Sequence, residues 1–217
     1  MRISDSVFGT RRPVVVSENL GTFRAGASVG GKPVSLDKWR LTTESADVAE
    51  AVASVYGGKV QEWDTKSPEI YEVYLDTASI PIVFRDNDQI TASFSLWQNG
   101  ELVHRCDGTT TKDGLPCEYW RDLDLAEHKA LAAIGRACKP DILMRFQLPG
   151  VSLPNGVDWD GTFRYRSGAW TLARRIGDTQ DHLTDALVDH GGEAEARLVI
   201  EPVSFVSDGR RVSYNSV

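Results

Sequence analysis

The sequence predicts an α+β domain, a mostly antiparallel sheet carrying about three helices on one face, and three observations predict it. Short apolar segments of strand length recur from Val34 to Tyr214, bounded by glycine, asparagine and aspartate turns. Neighbouring segments carry hairpin signals, clearest at Asn99-Gly100. Stretches with helical spacing are interspersed among these pairs rather than alternating regularly with them, which argues against a parallel βαβ sheet.

The chain is long enough for one domain with an ample core: 217 residues, 41% of them hydrophobic. Residues 1–31 are glycine-punctuated and read as a flexible N-terminal segment, with Val14–Val16 as a short edge strand; residues 32–217 read as the single α+β domain. No apolar run approaches the roughly 18 residues of a membrane span, and the start has no hydrophobic signal-peptide core, so a cytoplasmic location is expected. Three cysteines, an odd number, suit a reducing compartment and metal binding rather than bridging. A formal net charge of −7 argues against a broad phosphate-tracking surface.

Taken in order, Val34 to Leu41 reads as a strand. Ser45 caps a helix whose apolar positions Val48, Ala49, Val52 and Val55 keep helical spacing until Gly57-Gly58 stops it. Val60 to Trp63 returns as a strand. Ile70 to Leu75 and Ile80 to Phe84 read as a pair joined by a short turn, and Ile90 to Trp97 pairs with Leu102 to Arg105 across Asn99-Gly100. Asp124 and Glu127 form a capping pair for a helix running to about Ile134, with Gly135 as its stop. Strands follow at Ile142 to Leu148 and Phe163 to Tyr165. A helix opens at Ser167 or Gly168 and runs through Ile176, with a further helical turn at Asp181 to Val188. A final hairpin joins Ala196–Phe205 to Arg211–Tyr214 around Ser207-Asp208-Gly209.

Gly26-Ala27-Ser28-Val29-Gly30-Gly31-Lys32 matches the first seven positions of a Walker A loop, but the next residue is Pro33. Proline offers neither the hydroxyl that holds Mg²⁺ nor an N–H for the phosphate cradle, so the segment reads as a Gly/Ser connector. No HExxH and no nucleophile elbow is present, and Asp158-Trp159-Asp160-Gly161 is explained by turn chemistry.

The chemistry concentrates between His104 and Pro140, which holds all three cysteines, spaced Cys106-x10-Cys117-x20-Cys138, and two of the four histidines. Three thiols arriving from a strand end, a loop and a helix end can hold one zinc if an imidazole completes the tetrahedron. Three separate buried thiols are the alternative, since free cysteine is among the most buried residue types. His104 lies two residues before Cys106, so in a strand both side chains project to one face about 6.6 Å apart. His128 lies ten residues before Cys138, about 15 Å along an unbroken helix, and reaches the site only if the chain folds back at Gly135. The expected metal set is therefore Cys106, Cys117, Cys138 and either His104 or His128. Tyr119 and Trp120 in the cysteine loop, and Trp159 between two aspartates, are either partner-binding anchors or rings folded back onto the core.

Several blocks resemble one family. They are Pro33-Val34-Ser35-Leu36-Asp37-Lys38-Trp39-Arg40-Leu41-Thr42, Tyr56-Gly57-Gly58 with Val60 and Trp63, Arg105-Cys106-Asp107-Gly108, Pro116-Cys117, Ala137-Cys138-Lys139-Pro140, and the Trp170 helix followed by Ala196-Arg197-Leu198. From about Lys32 to Tyr214 the chain resembles the recombination directionality factors of phages that use large serine integrases. Members commonly read Pro-Cys-x-Cys where this chain has Pro116-Cys117-Glu118-Tyr119, so Tyr119 stands where a fourth thiol is expected. The resemblance implies a non-catalytic regulator in a bacterial host's cytoplasm. It would bind the zinc-ribbon and coiled-coil region of a serine integrase, reach DNA only through it, and switch recombination from integration to prophage excision. The alternatives are a zinc-stabilised phage nucleic-acid metabolism protein and a metal-dependent hydrolase.

Overall fold

A computed structural model describes residues 19–120, 123–152, 161–207 and 209–217. The strands are β1 (Asn19–Val29), β2 (Lys32–Thr43), β3 (Val60–Glu62), β4 (Tyr71–Tyr74), β5 (Ser79–Phe84), β6 (Ile90–Gln98), β7 (Glu101–Cys106), β8 (Lys139–Phe146), β9 (Thr162–Ser167), β10 (Ala194–Val199), β11 (Glu201–Ser207) and β12 (Arg210–Ser216). The helices are α1 (Ala46–Tyr56), α2 (Leu125–Ala133), α3 (Trp170–Ala173) and α4 (Ile176–Asp189). Eight strands form the main sheet in the order β3-β4-β2-β1-β9-β8-β6-β7, and two ribbons, β5-β10 and β11-β12, stand beside it. The β1–β9 contact is parallel, and every other pairing among the described strands is antiparallel. No helix among the described residues is long and apolar enough to cross a membrane.

Alternation builds the core. Phe23, Trp39, Leu41, Val73, Ile142, Met144, Phe163 and Tyr165 project from one face of the main sheet and are buried with Val48, Ala49 and Val52 of α1 and Leu183 of α4. The β5-β10 ribbon adds Ile80, Ile82, Phe84 and Leu198 to the same core. Trp39 sits at its centre, edge-on to Tyr165 at 5.4 Å, and its indole N–H donates to the carbonyls of Ala78 and Leu198. A buried Trp needs such a partner, and this one ties the main sheet to the ribbon.

The local signals hold where chemistry is local. Ser45 caps α1 with its side chain, Asp124 and Glu127 form a complete capping box on α2, and Gly135 follows that helix at φ 71°. Asn99 and Gly100 turn the β6–β7 hairpin at φ 51° and 84°, the left-handed region that a tight hairpin turn demands.

Four expectations are corrected. Asn19–Val29, assigned to a flexible segment, is a strand at the centre of the sheet, and Gly30-Gly31 turns it into β2; Val14–Val16 lies outside the described residues. β4 and β5 do not pair with each other: β4 lies between β2 and β3, while β5 pairs with β10. The strand expected over Ala196–Phe205 breaks at Ile200, so that β10 pairs with β5 and β11 with β12. The second helical turn is a full helix of 14 residues, giving four helices among the described residues rather than about three.

Candidate metal centre

The far edge of the sheet gathers the cysteines. In the β6–β7 hairpin Leu96 pairs with His104 and Phe94 with Cys106, which puts His104 and Cys106 on the core face of the last strand. Beyond Cys106 the chain folds back on itself: the Asp107 carboxylate accepts from the backbone N–H and hydroxyl groups of both Thr109 and Thr110. Those hydrogen bonds hold the Asp107 carboxyl well below its ordinary range. The Cys117 N–H then donates to the Thr109 carbonyl, returning the second thiol over the first. The third arrives after α2, where the Arg136 N–H closes on the Leu131 carbonyl and Cys138 leads into β8.

The donor atoms of His104, Cys106, Cys117 and Cys138 all lie within 4.8 Å of one another. Cys106 Sγ is 3.8 Å from Cys138 Sγ, Cys117 Sγ is 4.0 Å from Cys138 Sγ, and His104 Nε2 is 3.2 Å from Cys117 Sγ. A metal bonded to thiolates at about 2.3 Å with tetrahedral angles sets its sulfurs about 3.8 Å apart. The observed separations are close to the edges of such a tetrahedron, so this group can hold a metal ion. All three thiols are buried. Burial pushes the Cys106 thiol up to about 11, and burial followed by the neighbouring Cys106 and Cys117 sulfurs pushes Cys138 higher still. Without a cation to compensate them these groups keep their protons; a bound metal would replace them.

Both histidines approach the sulfurs, His128 with its Nε2 3.9 Å from Cys138 Sγ, but the geometry groups only His104 with all three cysteines. His104 joins the four donors, whereas the fully buried His128 lies one layer out. Its Nδ1 is 2.9 Å from the Tyr119 carbonyl and its Nε2 is 2.6 Å from the Cys138 carbonyl, so the ring straps the cysteine loop to the start of β8. Such outer contacts fix where first ligands point.

Tyr119 and Trp120 do not stand out from the surface as free anchors. The Tyr119 ring meets the His104 imidazole edge-on at 4.8 Å, and both Tyr119 and Trp120 pack against the buried cysteines. Trp120 also meets Phe94 edge-on at 5.5 Å. Trp159, with Asp158 and Asp160, lies outside the described residues. One exposed apolar patch lies on the β11-β12 ribbon, where Val203 opposes Tyr214 and Phe205 opposes Val212 on one face, with Phe205 46% and Tyr214 37% exposed.

The opposite face of the sheet holds a charge network that no local pattern announces. Glu69, from the loop between β3 and β4, is buried and accepts from Thr22, Thr42, Arg24 and Arg164. Burial alone would raise its carboxyl, but the hydrogen bonds from Thr22, Thr42 and Arg24 outweigh burial and hold it low. Asp141 on β8 receives a two-point contact from Arg166, both bonds 2.6 Å, and further contacts from Arg105 and Ser95. For Asp141 too, the Arg166 and Ser95 bonds outweigh burial and lower the carboxyl.

Compared with known families, residues 20–217 match the model described as Gp3-like, recombination directionality factor-like. No solved structure matches the chain. The match includes β1, which the resemblance read from sequence had left out.

Proposed function

This chain belongs to the Gp3-like, recombination directionality factor-like family, and on that premise we propose that it binds a large serine integrase and switches its direction. Integration, attP × attB, would be suppressed and prophage excision, attL × attR, promoted. The family match over almost the whole described chain is the observation that carries this reading. It supports reading the chain as a regulator that works with recombination proteins rather than as a catalyst.

The physical form of such a switch is a coupling free energy. The factor must bind one arrangement of the integrase's zinc-ribbon and coiled-coil region better than another, and about 3 kcal/mol of difference shifts the balance about 100-fold. We further propose that the metal is zinc, held by Cys106, Cys117, Cys138 and His104, with a structural role. Three sulfurs and one imidazole nitrogen are a common zinc donor set, and four protein ligands leave no position for a water nucleophile. That closed set speaks against the metal-dependent hydrolase.

The test is a gel shift on att-site DNA. The factor alone is expected to give no sequence-specific shift at physiological salt, and to supershift the integrase–DNA complex. Tight site-specific binding without integrase would favour the nucleic-acid metabolism reading instead.

A further inference from the structure

One face of the main sheet is covered by helices and by the β5-β10 ribbon; on the other, the strands from β1 to β7 place a group of cations. Arg24 comes from β1, Arg164 and Arg166 from β9, Lys139 and Arg145 from β8, and Arg105 from β7. The carboxylates set among them are Glu69 and Asp141. Six cations less two anions leave +4 here, on a chain whose formal charge is −7, so the remainder carries −11. The net charge averages over a segregated surface.

The cations are held in place. Glu69 takes Arg24 at 2.9 Å and Arg164 at 3.0 Å; Asp141 takes Arg166 at 2.6 Å and Arg105 at 3.5 Å. Each carboxylate thus fixes two guanidinium groups while neutralising one, and these arginine side chains stay between 35% and 52% exposed. Arg145 lies directly opposite Arg164 in the β8–β9 register, and of the two only Arg164 is paired, to Glu69, among the described residues. Arg145 and Lys139 are exposed and have no ion-pair partner among the described residues.

From this arrangement we infer that the open face binds the phosphate backbone of duplex DNA without reading its sequence. The four strand intervals from β1 to β7 span about 19 Å at about 4.8 Å each, the rise of about six base pairs. Positioned arginines, with the hydroxyls of Thr91 and Ser93 between them, match phosphate oxygens. A single strand would call for free aromatic platforms, but Trp97 on this face already has the Arg166 guanidinium 5.8 Å from its ring centre. An acidic protein would call for apolar anchors exposed between the charges, and the apolar strand position among them, Leu143, is half-buried between Thr91 and Arg166. The inference does not depend on the integrase reading.

The probe is a fluorescent random-sequence duplex of about 20 base pairs, titrated with the full chain between about 50 and 200 mM salt. Arg145→Glu combined with Lys139→Glu breaks no ion pair, so folding should be kept and is checked by thermal melting. The parent should bind with a steep salt dependence; the double variant should lose at least about tenfold in affinity at low salt, with a salt slope shallower by about two. Reversing two exposed lysines away from these strands, Lys59→Glu with Lys112→Glu, should cost clearly less. The inference is overturned if the parent fails to bind duplex at about 50 mM salt, or if both double variants behave alike. Displacement by poly-glutamate at lower charge concentration than by competing duplex would also overturn it, and would assign the face to an acidic protein.

Discussion

The rings of Trp120 and His128 are stacked, with centroids 3.8 Å apart and planes within 10°. The imidazole in that stack is the one that ties the cysteine loop to β8, so the indole packs over the candidate metal centre. Trp120→Ala should therefore unfold more easily than the parent, by about 3 kcal/mol, or roughly 6–12 °C in melting temperature for a chain of this size. An unchanged melting temperature would show that the indole is free.

Metal content follows from the donor set. Protein purified without chelator should carry close to one zinc per chain, and chelation should lower the melting temperature because metal binding is coupled to folding. Cys138→Ser should abolish tight binding. His104→Ala should weaken it, while His128→Ala should lower it less, since the His128 nitrogens lie against the Tyr119 and Cys138 carbonyls. Equal losses for the two histidine variants would reverse the assignment.

Acidity acts on the two states in opposite senses. With metal bound, protons compete for the thiolates, so affinity should fall as pH is lowered. Without metal the folded chain keeps the Cys106 and Cys138 thiols protonated above the ordinary value, Cys106 up to about 11, while the unfolded chain loses those two protons near the ordinary value of 9.0. The folded state then binds more protons, and metal-free stability should fall as pH rises from about 9 to about 11. Chemical denaturation across this range, with and without chelator, checks both signs.

Glu69 works in the opposite direction from the thiols. Its carboxyl is lowered in the folded chain, so it contributes stability above its unfolded pKa that is lost as pH falls through the folded value. Glu69→Gln should cost about 2 kcal/mol at neutral pH and flatten the acid limb of the stability profile. An acid limb as steep as the parent's would place that titration elsewhere.

The apolar face of the β11-β12 ribbon gives a contrast to Trp120. Phe205 is half-exposed, and its nearest ring, Tyr214, lies 6.2 Å away on the same ribbon. Phe205→Ser should change the melting temperature by no more than a few degrees. If integrase docks on this ribbon, the same variant should weaken capture of integrase by about 2 kcal/mol; undiminished capture would place the docking surface elsewhere.

What could be read from sequence was what is encoded locally. The Ser45 cap, the Asp124–Glu127 box and the Asn99-Gly100 turn each involve residues within one turn of one another, and all three are where the pattern put them. β1 was missed because its glycines look like breakers. Gly21 is instead a close approach, since a Cβ there would stand 2.9 Å from both Leu41 Cδ1 and the Thr42 carbonyl. The β4–β5 pairing was misjudged because nearness in sequence is a weak guide to pairing once a third strand can intervene. The nearness of His104 to the cysteines was legible from its two-residue offset to Cys106, and its donor atom lies within 4.8 Å of the three sulfurs. Glu69 was not: it sits in a loop, and its partners Thr22, Thr42, Arg24 and Arg164 come from three strands separated by up to 142 residues.

The most direct measurement is recombination itself. Purified cognate integrase is incubated with attL and attR substrates, and separately with attP and attB, in the absence and presence of stoichiometric factor. The account predicts that excision product forms only when the factor is present and that integration falls under the same conditions. If attL × attR recombination stays absent and attP × attB recombination proceeds undiminished with folded, metal-loaded factor in excess, the directionality role is contradicted.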